Sequence, residues 1–238
     1  LEQHKPQINK LYFKAFRAVD DRAACMKFIE GHTHVLEIFG ITKITSAKID
    51  WVLNPDVYAV LVSAEENGKA LAGSRIHRAN GINPLPIEEA VGYMDDKIHT
   101  MVSDRTANGT GELCGVWNSW EIAGLGVGSL FLSQVSVALS SLIGLTTLFG
   151  LTAPATHRNA VRGGFRVITE IGINGRFYYP KEDLTATAVI TDELETLPLA
   201  IDEVRNNIFS FKANPKQIFQ IPNKANDGFI DVHIDIAL

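Results

Sequence analysis

Along most of this chain apolar residues either alternate with polar ones or recur every third and fourth position, and each change of rhythm marks an element. Residues 12–19 are rich in aromatics and read as a first strand. Asp20 then caps a helix to about Glu30, with Ala24, Met26, Phe28 and Ile29 as its apolar positions, and residues 32–39 continue as a second helix before Gly40. Residues 57–64 and 70–77 are strand-like around Glu65-Glu66-Asn67-Gly68-Lys69, whose Asn-Gly step is a hairpin signal. After Pro84 and Pro86, the residues Ile87, Val91, Met94 and Ile98 fall on one face and predict a single helix.

Residues 112–119 follow as a strand, and a helical pattern runs over 127–143 until Gly144 stops it. Residues 147–152 read as a buried strand. Residues 165–170, 176–179 and 184–191 read as further strands, the first two joined across Asn174-Gly175. Residues 199–208 suit a helix. In the final strand, 229–236, Ile230, Val232, Ile234 and Ile236 share one face, with Asp231, His233 and Asp235 on the other. The expected fold class is therefore α/β with a mixed sheet, as one main domain over 1–191 and a C-terminal extension over 192–238 packed on it. The last strand can complete the sheet, cover a pocket, or pair with a second subunit as a homodimer.

Composition narrows the class. At 46% hydrophobic and 21% charged residues, 238 residues bury a core without disulfides or metals. The net charge of −5 and the lack of a basic run argue against nucleic acid as a partner. The longest apolar stretch is broken by Ser, Thr, Gln and Gly, so no membrane span is expected, and cytoplasmic is the default location. Cys25 and Cys114 have no zinc-ligand spacing. Asp231-x-His233-x-Asp235 is explained as well by a solvated edge strand as by a ligand set, so no metal is assigned.

The strand at 112–119 leads into Gly124-Leu125-Gly126-Val127-Gly128-Ser129 and then a helix. Small residues let the backbone approach a ligand, and the first helical amides lack intrahelical acceptors, so such a turn can hold a pyrophosphate. Leu125 to Ser129 would supply those amides. A dinucleotide site of the Rossmann type would need an acidic residue about twenty positions onward, and residues 139–147 contain none.

The longer run from Glu112 through Ser119 to Gly128 resembles the fourth strand and acyl-CoA loop of the GCN5-related N-acetyltransferase (GNAT) superfamily. Its (Arg/Gln)-x-x-Gly-x-(Gly/Ala) pattern is met by Ala123-Gly124-Leu125-Gly126-Val127-Gly128, with Ala123 in place of Arg or Gln. Thr156-His157-Arg158-Asn159-Ala160 and Gly164-Phe165 resemble the family's closing segment, with Ala160 where many members carry a Tyr acid. The resemblance covers residues 12–191 and implies an acyl-CoA N-acyltransferase fold with splayed central strands.

What the resemblance implies for chemistry follows residue by residue. Acetyl-CoA or another acyl-CoA would be the co-substrate and a small-molecule primary amine the acceptor. Val116, Trp117 and Asn118 match the bulged strand beside the thioester, Gly124 to Ser129 the pyrophosphate loop, and Asn159 a pantetheine contact. Glu112 is the first candidate general base, with Glu121 beside the loop as the other, and Tyr178 or Tyr179 is a candidate replacement for the missing acid. Two alternatives stay open. One is a long-chain N-acyl transferase of the autoinducer-synthase or N-acyl amino acid synthase type; the other is a non-catalytic acyl-CoA-binding module.

Overall fold

A computed structural model describes residues 7–38, 40, 49–225 and 228–238 of the protein. Ten strands form a single mixed sheet: β1 (Lys10–Arg17), β2 (Val57–Ser63), β3 (Ala72–Arg78), β4 (Thr110–Asn118), β5 (Thr147–Thr152), β6 (Arg166–Val167), β7 (Arg176–Tyr178), β8 (Thr185–Thr191), β9 (Lys216–Pro222) and β10 (Phe229–Asp235). Their order is β6-β8-β5-β4-β3-β2-β1-β10-β9, with β7 also paired to β8. Among the described residues, six α-helices accompany it: α1 (Arg22–Ile38), α2 (Pro86–Val91), α3 (Lys97–Thr106), α4 (Ser129–Leu142), α5 (Pro154–Arg162) and α6 (Asp202–Ala213).

The helix after Asp20 does not stop near Glu30. It runs unbroken to Ile38, because Gly31 is where the indole of Trp117 packs against it; a Cβ there would lie 2.2 Å from Trp117 Cη2. Close packing offsets the roughly 1 kcal/mol that a mid-helix glycine costs. The reverse happens after Pro86, where the single predicted helix divides into α2 and α3. Ile87, Val91 and Ile98 are buried, but Met94 is exposed. Asp95 is drawn out of the helix: its carboxylate accepts from the Gly172 and Lys97 amides at 2.9 and 3.2 Å. The Gly172 bond, set against slight burial, holds that carboxyl below its usual range.

Strands β6 and β7 do not pair with each other across Asn174-Gly175; both pair antiparallel with β8. The C-terminal residues extend the sheet rather than sit beside it. β10 lies parallel to β1, with Phe13 opposite Ile234, and β9, which the periodicity did not suggest, forms the edge. As the alternation requires, Ile230, Val232, Ile234 and Ile236 are buried. Helix α6 packs on α4 through Phe211, which meets Phe131 and Phe219 edge-on at 5.6 Å each. One face of the sheet thus carries α4 and α6, and the other carries α1, α2 and α3.

Candidate active site

The sheet comes apart at one place. β4 and β5 are parallel and pair only as Thr110 with Thr147, Gly111 with Leu148 and Glu112 with Phe149. β4 continues beside β3 as far as Asn118, and β5 beside β8 as far as Thr152. Beyond Glu112 the two strands therefore diverge and leave a wedge whose β4 wall has no β5 partner. The same wall is bulged. Arg75 faces Cys114 but Gly73 faces Trp117, so Gly115 and Val116 stand together opposite Ser74. Gly115 has φ of 55°, and a Cβ on it would lie 3.1 Å from Arg75 Nε, so the bulge depends on glycine.

The strand then turns through residues 119–128 into α4. The Leu125 amide is used inside this turn, donating to Ile122 O at 3.3 Å. This narrows the donor set expected from Leu125 to Ser129, because a short turn needs that bond to close. The amides of Gly126, Val127 and Gly128 have no hydrogen-bond partner among the described residues. Gly124 and Gly126 have φ of 84° and 93°, which side chains resist, and no atom lies within 4 Å of a Cβ built on Gly124 or Gly128. Leu125 and Val127 point inward and are buried, pinning the turn to the core. What remains is an open ring of donors at the positive end of a helix. The Ser129 side chain lies outside the described residues.

Against β3, beside the start of α2, lies a cavity of about 330 Å³ that includes Trp51, Arg75, His77 and Glu89 in its lining. Arg75 is 1% exposed, with its guanidinium 4.7 Å from the Trp51 ring centroid and 5.6 Å from that of Phe28. Glu112 is buried beside it and accepts a hydrogen bond from the Ile87 amide at 2.6 Å. Burial pushes the Glu112 carboxyl up to about 8, against the pull of that amide and of Arg75. Burial and then Arg75 hold His77 well below the usual imidazole range, so it is neutral. Burial raises the Cys114 thiol to about 12, which leaves it protonated and a poor nucleophile. Arg75 and His77 were not singled out by the sequence. The available signal was polar residues at alternate positions of β3, facing Glu112 and Cys114 on β4.

The remaining candidates fall in different places. Val116 is half-buried at the bulge. The Trp117 ring turns away from the wedge into the core, where it lies edge-on to Phe28 at 5.8 Å. Asn118 ends β4 with its Oδ1 buried and without a hydrogen-bond partner in the described structure. Asn159 is half-buried on α5, directly after β5, and His157 on the same helix meets Thr152 Oγ1 at 3.2 Å. Glu121 bonds Lys69 at 2.8 Å; burial opposes its ionisation, but hydrogen bonds from Lys69, Ser119 and the backbone, with the Lys69 charge, together outweigh it and lower the carboxyl overall.

Tyr178 is not brought to Glu112. It is exposed on β7, opposite Thr185, whereas Glu112 is level with Phe149 and hence with Ile190. Five residues along β8 correspond to roughly 16 Å, with β5 and β8 also intervening. Asp231, His233 and Asp235 are engaged separately, with Gln220, the Tyr12 ring and Lys216 respectively. Among the described residues, no group of three or more His, Cys, Asp or Glu is placed to hold a metal ion, and no helix is long and apolar enough to cross a membrane.

No family model matches the chain, and no curated protein matches it in sequence. Solved structures do match in fold. FeeM, an N-acyl amino acid synthase from uncultured soil microbes, is similar with a TM-score of 0.55 at 13% identity, over 80% of this chain and 95% of that one. BjaI, a CoA-dependent acyl-homoserine lactone synthase solved with SAM and isopentyl-CoA, matches with a TM-score of 0.55 at 13% identity, over 84% and 90%. ElaA of Escherichia coli matches with a TM-score of 0.54 at 11% identity, over 76% and 99%. The fold is that of the GNAT acyltransferases, as the resemblance around Gly124 to Gly128 implied.

Proposed function

We propose that this chain, built on the GNAT fold, is an acyl-CoA-dependent N-acyltransferase that acylates the primary amine of a small molecule. One observation carries the reading. Along a single run of chain stand a buried carboxyl at Glu112, a bulge at Gly115–Val116 where β4 leaves β5, and the partnerless amides of Gly126 to Gly128.

In this reading the three amides and the α4 dipole hold the donor's pyrophosphate. The unpaired edge of β4 lines the pantetheine arm, with Asn159 facing it from α5. The amine nitrogen attacks the thioester carbon directly; the C–N bond forms, the C–S bond breaks, and the thiolate leaves to be protonated. Backbone groups freed at the bulge stabilise the oxyanion. Glu112 takes the proton released by the amine, and its raised pKa makes the carboxyl a stronger base than an exposed one once ionised. The protonated Cys114 supports direct transfer over an acyl-cysteine intermediate.

Acetyl is the donor expected from the superfamily. A long-chain donor and an amino-acid-like acceptor form the second reading, of which the acceptor is favoured by the synthases among the similar structures and by the cavity. Arg75 can face a carboxylate there, while Asp50 and Glu89 can face an ammonium.

Thiol release from acyl-CoAs of two to twelve carbons, measured against a panel of amines and amino acids, tests the proposal. Release with short donors supports the first reading, and release confined to long donors the second. CoA binding without release in any combination would reduce the protein to a binding module.

A further inference from the structure

The glycine turn has an open ring of donors but no cation of its own. Residues 118–129 include one charged side chain, Glu121, and that is taken by Lys69. At the position where the superfamily motif carries Arg or Gln stands Ala123. A pyrophosphate held by neutral amides alone would have hydrogen bonds but no cation to pair with its charge.

A cation reaches the turn from the far end of the chain. Just after β9, residues 223–225 come up to it, and the Lys224 amide donates to Leu125 O at 3.3 Å. Residues 223–225 are themselves tied down: Asn223 is buried, its amide donates to Gly228 O at 2.9 Å, and its side chain accepts from the Ala225 amide at 2.9 Å. The aliphatic stem of Lys224 lies on the bare backbone of Gly126. A Cβ on that glycine would meet Lys224 Cγ at 3.3 Å and Cδ at 3.4 Å. The ammonium lies two bonds further on and is exposed, with no ion pair or side-chain hydrogen bond among the described residues. The stem of this surface lysine is placed against one of the three residues whose amides are open.

We infer that Lys224 is the phosphate-binding cation of the acyl-donor site, supplied by the C-terminal strand pair in place of the side chain missing at Ala123. The inference rests on the reading of Gly124 to Gly128 as the acyl-CoA cradle. It gives the 216–235 strand pair a role in donor binding. It also assigns Gly126 two tasks, leaving room for the phosphate and for the lysine stem.

Calorimetry on the full chain tests it with two probes, coenzyme A and pantetheine, the second lacking all phosphates. Lys224→Met keeps the stem and removes the charge. It should weaken coenzyme A binding about tenfold or more and lower its salt dependence, leave pantetheine binding unchanged, and raise KM for the acyl donor at constant kcat. Lys224→Arg should retain most of the affinity. If Lys224→Met binds coenzyme A as the wild type does, or loses both probes equally, the inference is overturned while the cradle stands. If the wild type binds pantetheine but gains nothing from the phosphates, or binds neither probe, the cradle reading itself falls and takes Lys224 with it.

Discussion

The indole of Trp117 lies so close to Gly31 that a Cβ there would fall 2.2 Å from Cη2 and 2.8 Å from Cζ2. This contact fixes α1 against β4 immediately after the bulge. Gly31→Ala raises intrinsic helix propensity by about 1 kcal/mol, yet it forces the ring to move within a core of Phe28, Trp51 and Trp117. The expected outcome is a net destabilisation of about 1–3 kcal/mol in denaturant unfolding, from overpacking. Turnover should fall with it, because Trp117 cannot shift without disturbing Val116.

Glu112→Gln preserves shape and a hydrogen-bond acceptor for the Ile87 amide but removes the base. Turnover should drop about 10²- to 10⁴-fold with CoA affinity retained. In the wild type the rate should climb as pH rises through about 8, the value to which burial pushes Glu112, and that limb should be missing from the variant. A variant with wild-type turnover would remove Glu112 from the mechanism.

Gly126→Asp adds bulk at a φ of 93° and a negative charge where anion donors converge. Coenzyme A affinity should fall by at least about a hundredfold, since charge repulsion adds to the lost space. Unchanged affinity by calorimetry would show that the donor binds elsewhere. Gly124→Ala provides the contrast, because a Cβ there meets nothing within 4 Å and only the backbone term is paid.

Stability should peak in the mildly acidic range. Burial and then Arg75 lower His32 to about 4, and the same causes hold His77 well down. Both bind protons more tightly when unfolded, so stability is lost as pH falls below about 6.5. Glu112 acts in the opposite sense: raised from 4.5 to about 8, it keeps a proton in the folded state that the unfolded chain has released. Its contribution is lost as pH rises between those values. Urea unfolding from pH 5 to 9 should give a maximum near 6.5, and Glu112→Gln should flatten the alkaline side of the curve.

How much of this was legible in the residues divides by range. The strand, glycine turn and helix from Glu112 to Leu142, the hairpin around Asn67-Gly68, and the inward face of Ile230, Val232, Ile234 and Ile236 depend on neighbours a few positions apart, and periodicity reports those. The fold followed from the same local run and from its superfamily resemblance. By itself the sequence also showed what the loop lacks, a cation at Ala123.

Tertiary structure decided the rest, because it turns on contacts between segments that periodicity cannot relate. Gly31 leaves α1 intact only because Trp117 fills the space, and Asp95 divides α2 from α3 only because Gly172 is there to bind it. Arg75 comes to face Cys114, with Glu112 buried in reach of its charge, only when β3 and β4 align around a bulge. The wedge exists because β4 stops pairing with β5 at Phe149, and Lys224 meets Gly126 because β10 chose the free edge of β1. Residue type sets what each group can do; desolvation and close approach, which arise only on folding, set what it does.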